Sequence, residues 1–432
     1  MTIAIAKTPA ETTLGETFEQ VASELPGNAD TVARRKKAFG TFAALGLPHR
    51  RIEEWKYSDV RARVKEVGAV ISEPSTTVSA ADLEVALGPL AVIDAMRFVL
   101  VDGRHVPELS TGDADVLSAT GEAADLSLAI DDSEALAALN LAMTTGGANV
   151  SVAGGATVQK PILIVHLAAS TDPLWTSTRN AISLGANAKA TVVEVFAKTT
   201  TAAAGQSNAA TVVRVGDGAH LTHIKVGVDQ GATHLGTWQA EMGADSDYRP
   251  FFFTASQGFA RNSLFLEFKG ESARLDCSGC FLARGNEHID NTLRIDHAVP
   301  GCESRELFKG VLDDNARGVF QGKVIVQQIA QKTDGKQMAQ ALMLSPTCEF
   351  DSKPELEIYA DDVVCGHGST CAELDPDLVF YLRARGISEP EARALLMESF
   401  VGEAIDQIES EPVAEALTEV AQHWLRALRA AA

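Results

Sequence analysis

Gly185-Ala186-Asn187-Ala188-Lys189-Ala190-Thr191 is matched further along by Gly216-Asp217-Gly218-Ala219-His220-Leu221-Thr222, and the two runs close on Val195 and Val226. The shared pattern is Gly-x-x-Ala-x-x-Thr-x-x-x-Val. Gly243 precedes a third apolar run, and Gly270-Glu271-Ser272-Ala273-Arg274-Leu275 restarts the motif, so the openings are spaced by 31, 27 and 27 residues. A period of 20–50 residues is the mark of a solenoid or propeller. Each unit holds only a glycine turn and short strands, with no room for a helix, and a propeller blade needs a longer period of ~40 or more. The repeat therefore predicts a parallel β-helix, in which every coil buries its inner face against its neighbours.

Outward from the repeat, period-two segments extend in both directions. Upstream stand Phe98–Val101 with an Asp102-Gly103 turn, and Ile162–Val165 behind Pro161. Downstream lie Leu264–Lys269, Leu293–Asp296, Gly318–Gln327 and Leu356–Val364. Ser133 before Glu134-Ala135-Leu136 opens one helix inside this region, through Ala142. The flanks are different. Residues 1 to about 28 are small and polar, and are expected to be loosely ordered. Asp30 is placed to cap a helix ending at Gly46, and Arg34-Arg35-Lys36-Lys37 reads as its solvated face. Trp55 and Tyr57 are expected to anchor that segment to the main body, and residues 72–95 read as a flexible connection with a short helix. After Cys371 the chain turns helical: Asp375-Pro376 starts one helix, Ser388-Glu389-Pro390-Glu391 a second with a wide apolar stripe through Ile408, and Pro412 a third. Three regions follow: 1–95 mostly helical, 96–372 the β-helix core, and 373–432 a C-terminal helical domain.

Composition bounds the chemistry. The chain has 432 residues, a formal charge of −21 and 46% hydrophobic content. That charge argues against nucleic acid or an anionic membrane as partner. No apolar run is long enough for a membrane span, and no secretion signal is evident. Six cysteines, at 277, 280, 302, 348, 365 and 371, do not make a disulfide framework in so long a chain. A reducing cytoplasm is the expected location. A Walker A loop and a Gly-x-Ser-x-Gly elbow are both absent, so ATP binding and the usual hydrolase nucleophile are not expected of this chain.

Among the polar constellations, Cys277-Ser278-Gly279-Cys280 lacks a second pair at zinc-finger spacing and reads as small residues in adjacent coil positions. His288, His297 and Cys302 read as core or surface packing, with a polar ladder or a metal site as the alternatives, and His220 and His223 need not share a face. The run Asp361-Asp362-Val363-Val364-Cys365-Gly366-His367-Gly368 is more specific. If the preceding Leu356–Tyr359 strand continues, Cys365 and His367 project together, with glycines at 366 and 368 removing bulk around them. A thiolate beside an imidazole is half a metal site, the alternative being a buried cysteine next to a hydrogen-bonded histidine.

The ordered series Gln331-Lys332-Thr333-Asp334, Leu342–Ser345, Lys353–Val363, Cys365–Gly368 and Phe380–Ile387, with Arg51–Asp59 near the start, resembles the SufB/SufD family of iron–sulfur cluster assembly proteins. The Val-Val-Cys-Gly-His-Gly run is similar to the SufD branch. The resemblance spans about Ala33 to Leu425. It implies a parallel, right-handed β-helix with helical ends, and a non-catalytic scaffold subunit acting with a SufB-like paralogue and a SufC-like ATPase. It also implies that the family's functional histidine and cysteine fall on His367 and Cys365, binding iron or a transient iron–sulfur cluster at a subunit interface. A reduced flavin within the complex, and a homodimer of the isolated chain, belong to the same expectation. The SufC-like ATPase is expected on the C-terminal helices, where Phe380, Phe400 and Val401 look like spare apolar surface. Gly318–Gln327 and Leu356–Val364 are the expected edge strands for subunit pairing. The competing function is a β-helix enzyme acting on a polysaccharide through carboxylates such as Glu267 and Asp276, but no repeating aromatic ladder accompanies them.

Overall fold

The computed structural model describes residues 6–71, 77–120, 134–229 and 231–431, with side chains to residue 428. Its centre is a parallel β-solenoid of two sheets, to which each coil contributes one strand apiece. One sheet has ten strands, running from the outer end inward as Val364–Ala372, Asp334–Met343, Glu303–Leu312, Arg274–Ala283, Asp247–Ala255, His220–Gly227, Lys189–Lys198, Ile162–Ala168, Met96–Val101 and Arg104–His105. The other has nine: Glu349–Ile358, Arg317–Val326, His288–His297, Phe259–Phe268, Thr233–Met242, Gln206–Val215, Trp175–Leu184, Ala148–Val152 and Leu117–Ala119. Every pairing between these coils is parallel; Arg104–His105 and Leu117–Ala119 pair antiparallel at the first end. Asp102 and Gly103, both at positive φ, make the tight turn expected there.

The sequence repeat is the coil register. Lys189 pairs with His220, His220 with Asp247, and Asp247 with Arg274, reproducing the 31, 27 and 27 residue spacings. The opening glycines lie over one another at a corner where coils touch backbone to backbone. A Cβ at Gly185 would stand 2.6 Å from the Gly154 nitrogen, and one at Gly216 would stand 3.0 Å from the Gly185 carbonyl carbon. Any side chain there would push two coils apart and break the ladder on both sides of the corner.

Alternation then sorts the side chains. Inward rows carry Val192, Leu221, Tyr248, Leu275, Phe308 and Ala339, which meet Val213, Trp238, Leu264, Leu293 and Val324 from the facing sheet. Outward rows of the ten-stranded sheet, including Val193, Ile224, Phe253, Leu282 and Val311, are covered by helices Ala80–Leu87, Glu389–Ile405 and Glu411–Ala431. The nine-stranded sheet presents Trp175, Leu235 and Phe259 to helices Pro9–Val21, Ala29–Leu45 and Ala135–Met143. Among the described residues no helix is long and apolar enough to cross a membrane.

Several sequence expectations are corrected. The first 28 residues are not loose: Thr8 and Glu11 form a capping box that starts Pro9–Val21, and Leu14 and Phe18 are buried. Residues 1–5, 72–76 and Ser133 lie outside the described residues. Asn28, not Asp30, caps the next helix through the Thr31 amide. Arg34, Lys36 and Lys37 are exposed as expected, but Arg35 is buried and donates to the carbonyls of Pro26 and Ala142. The 77–95 connection is held by buried Leu83, Leu87 and Leu90. Leu356–Val364 is not one strand: Glu349–Ile358 ends, residues 359–363 turn, and Val364–Ala372 begins in the other sheet. Arg317–Val326 is not an edge strand, because Glu349–Ile358 covers it. Val401 is buried against the sheet and Phe400 is partly buried, stacked over by Lys309; only Phe380 is spare surface, at 73% exposure.

The interior carries neutral histidines that make stability depend on pH. Burial holds His166 at about 4 and His297 at about 4, below the usual histidine value. The unfolded chain takes up protons near pH 6.5 and the folded one does not, so each such histidine costs stability as pH falls from about 6.5 toward 4. His297→Gln removes one of them while retaining a polar group for Ser304, whose hydroxyl lies 3.1 Å from His297 Nε2. Relative to the parent, this variant should gain stability on acidification at up to about 1.4 kcal/mol per pH unit within that window. Denaturant titrations at pH 7, 6, 5 and 4.5 measure the slope, and parallel curves for the two proteins would refute it.

Candidate metal-ligand site at the bare end of the solenoid

The final coil turns sharply at residues 359–363 because its loop is tied to the coil beneath. Lys332 N donates to the Asp362 carbonyl at 2.6 Å, Asp362 N donates to Gln331 Oε1 at 2.9 Å, and the Lys332 ammonium pairs with the Asp362 carboxylate. This turn delivers Val364–Ala372 in register on Asp334–Met343, with Cys365 opposite Gly335 and His367 opposite Gln337. The two candidate ligands therefore share a strand face, as the sequence indicated, although the strand starts only at Val364.

That face is the inward one. Cys365 packs against the interior cluster, and its Sγ would lie 3.7 Å from a Cβ at Gly335, an ordinary contact. Among the described residues no coil lies above, so Cys365 is half-buried and His367 is exposed. Burial pushes the Cys365 thiol above its ordinary value, and a bound metal ion would be needed to hold the thiolate at neutral pH. Gly366 and Gly368 face the other way, where they floor an open depression of about 530 Å³ bordered by Arg305, Leu307, Lys336, Met338 and Gln407. They do not relieve crowding around the ligands. Cys371 lies in the same strand and on the same face, but ~20 Å from Cys365 at ~3.3 Å per residue. Among the described residues no three His, Cys, Asp or Glu side chains are arranged around a single metal position.

Below the pair, the inward row continues into the solenoid. Gln337 stands on Glu306, and Glu306 on Cys277. Glu306 is fully enclosed, and burial pushes its carboxyl up to about 8. The other cysteines are elsewhere: Cys277 faces inward and Cys280 outward on one strand, so they occupy opposite faces and not adjacent coils. His288, His297 and Cys302 are buried and do not converge. His220 faces outward to Glu409, while His223 faces inward to Glu194 at 2.8 Å.

Two polar groups escaped the sequence reading. Glu194, His223, Lys225 and His234 are buried together inside the middle coils beside the nearly enclosed His166, with Lys225 held at about 7 by burial. Charged residues at inward positions of otherwise apolar strands were the available signal, readable only once register was known. The second group is Ser58, His288 and Asp290. Arg63 donates to His288 Nδ1 at 3.0 Å, so Nε2–H faces Ser58 Oγ at 2.9 Å and the hydroxyl donates to Asp290. Burial and Arg63 lower His288 to about 3. The proton runs the wrong way for a nucleophilic serine. The cluster fastens the N-terminal segment to the nine-stranded sheet, together with Trp55 stacked under Arg261 at 3.8 Å.

Comparison with known proteins agrees with this architecture. The family described as SUF system FeS cluster assembly, SufBD core domain, matches residues 166–400. The chain is 30% identical to the iron–sulfur cluster assembly protein SufD of Escherichia coli over 85% of its own length and 86% of that protein. It is likewise 30% identical to an iron–sulfur cluster assembly SufBD family protein of Synechocystis, over 87% of each chain. Identity to SufD of Bacillus subtilis is 27%, over 72% of this chain and 73% of that one. Solenoid core, helical flanks and sequence all lead to one assignment: the chain belongs to the SufBD family of the SUF system of iron–sulfur cluster assembly.

Proposed function

We propose that this chain is a SufD-type subunit that binds iron or a nascent iron–sulfur cluster, as cargo, where its bare solenoid end meets a SufB-like partner in the cytoplasm. The observation that carries this reading is the placement of Cys365 and His367 on one face of the last strand, where among the described residues no further coil stacks on them. Two donors fall short of the about four that iron–sulfur and tetrahedral metal sites take. A partner closing this end supplies the rest. The same coil leaves Ile358, Tyr359 and Val364 exposed beside the ends of both sheets, which suits continuation of the strands into another chain. An imidazole in place of one thiolate favours a site that releases what it binds.

The outward helices divide into structural and available ones. Glu389–Ile405 and Glu411–Ala431 are committed to covering the ten-stranded sheet. The short helix Pro376–Arg383 buries none of its residues and exposes Leu378, Phe380 and Tyr381. That helix is the proposed docking point for a SufC-like ATPase, whose nucleotide-driven movement would reach the ligand strand through the three residues between Ala372 and Pro376.

In a complex co-expressed with its partners and purified without oxygen, His367→Ala should lower bound iron and sulfide by ~10-fold or more, as loss of even an outer-shell partner does. Complex yield should hold, and Cys365→Ser should act in the same direction or less strongly. Unchanged iron and sulfide in His367→Ala would remove the pair from the site. Separately, Phe380→Glu should weaken ATPase binding by about 2 kcal/mol or more, the scale of an interfacial anchor. Circular dichroism should stay β-rich. Binding of the ATPase at parental affinity in calorimetry would place docking elsewhere.

A further inference from the structure

Beneath His367 the inward row holds two polar side chains in a place otherwise built from Phe308, Phe320, Val324 and Ala339. Gln337 and Glu306 are each 3% exposed. Neither amide atom of Gln337 has a hydrogen-bond partner in the isolated chain, and the carboxyl oxygens of Glu306 have none of good geometry, Ser304 being the nearby side chain whose hydroxyl favours the charged form against burial. Apolar residues of similar volume would fill the same space without stranding these polar atoms, so their presence calls for a partner group. Register supplies the order: Glu306 lies beside Gln337, and Gln337 beside His367, at the ~4.8 Å separation of neighbouring strands. The row ends at the imidazole.

We propose that Gln337 and Glu306 are positioning residues for His367, forming a Glu306–Gln337–His367 hydrogen-bonded relay when a partner closes the end of the solenoid. The relay rests on the reading of His367 as a ligand. An amide suits the middle place because it accepts and donates at once. Its Oε1 accepts from one imidazole N–H, and its NH₂ donates to the Glu306 carboxyl. With one ring nitrogen engaged, the other keeps its lone pair fixed outward for a metal ion, the usual task of a group behind a histidine ligand. Cys365 has no such row behind it, because Gly335 beneath it has no side chain and offers only its backbone N–H.

Cobalt(II) titration of the metal-free complex with its SufB-like partner tests this, read by d–d and thiolate-to-cobalt absorption. Gln337→Leu should lower cobalt affinity ~10–100-fold, the range for loss of an outer-shell partner, at unchanged yield and melting temperature. Glu306→Leu should act in the same direction. The double exchange Glu306→Gln with Gln337→Glu rebuilds donor and acceptor in reversed order and should recover most of the affinity, which a packing role would not predict. Should Gln337→Leu fail to assemble, Gln337→Met, of nearly equal length, serves in its place. Parental cobalt affinity in the position 337 variant, alongside loss in His367→Ala, would overturn the relay and leave the ligand intact. Parental affinity in His367→Ala would overturn the ligand reading, and the relay with it.

Discussion

The structure depends on backbone contact between coils at the glycine corner. A parallel ladder forms only if successive strands hold to one strand spacing along their whole length, and the corner is where a side chain would hold them apart. Gly154, Gly185, Gly216, Gly243 and Gly270 keep that contact through consecutive coils. Once the corner closes, alternation decides everything lateral: one row faces the opposite sheet and the next faces a helical cover. The N-terminal helices on one sheet and the C-terminal helices on the other are consequences of this, since both outer faces carry apolar rows that need covering.

The same geometry delivers the chemistry. Because register is fixed by stacking, a residue's height in the solenoid and its direction are both determined by where it falls in the repeat. Cys365 and His367 are inward residues that reach solvent because their strand is the last in its sheet among the described residues. One more turn would have made them an interior polar pair like His223 and Glu194.

Much of this was legible in the residues. The glycine period became the register without adjustment, and the shared face of Cys365 and His367 followed from period two alone. What the sequence concealed has physical causes. Leu356–Val364 reads as one strand because Tyr359-Ala360 lacks a glycine or proline signal; the turn there is made by tertiary pairing with Gln331 and Lys332, one coil away. Arg35 looks solvated within a basic run because the carbonyl of Ala142, which helps to bury it, lies more than a hundred residues off. The apolar stripe after Ser388 looked spare because a sheet with two buried faces has no sequence mark separating it from one with a single buried face. The buried Lys225, Glu194 and Gln337 were invisible for a related reason: polarity within a strand normally means the solvent side, and only the observed register reverses that reading.

The two ends of the solenoid are unlike, and this limits what it can build. At the first end, Arg104–His105 and Leu117–Ala119 run antiparallel and finish both sheets. At the other, Glu349–Ile358 and Val364–Ala372 stop with their outer hydrogen-bonding groups unused. A stack of identical coils with two free ends could add chains indefinitely and grow into a fibre. With the first end finished by strands of only two and three residues, the long parallel edges among the described residues lie at the other end. Were two such chains to meet at their bare ends, each would use up the edge that the described residues leave open there, and growth at that end would stop at a pair.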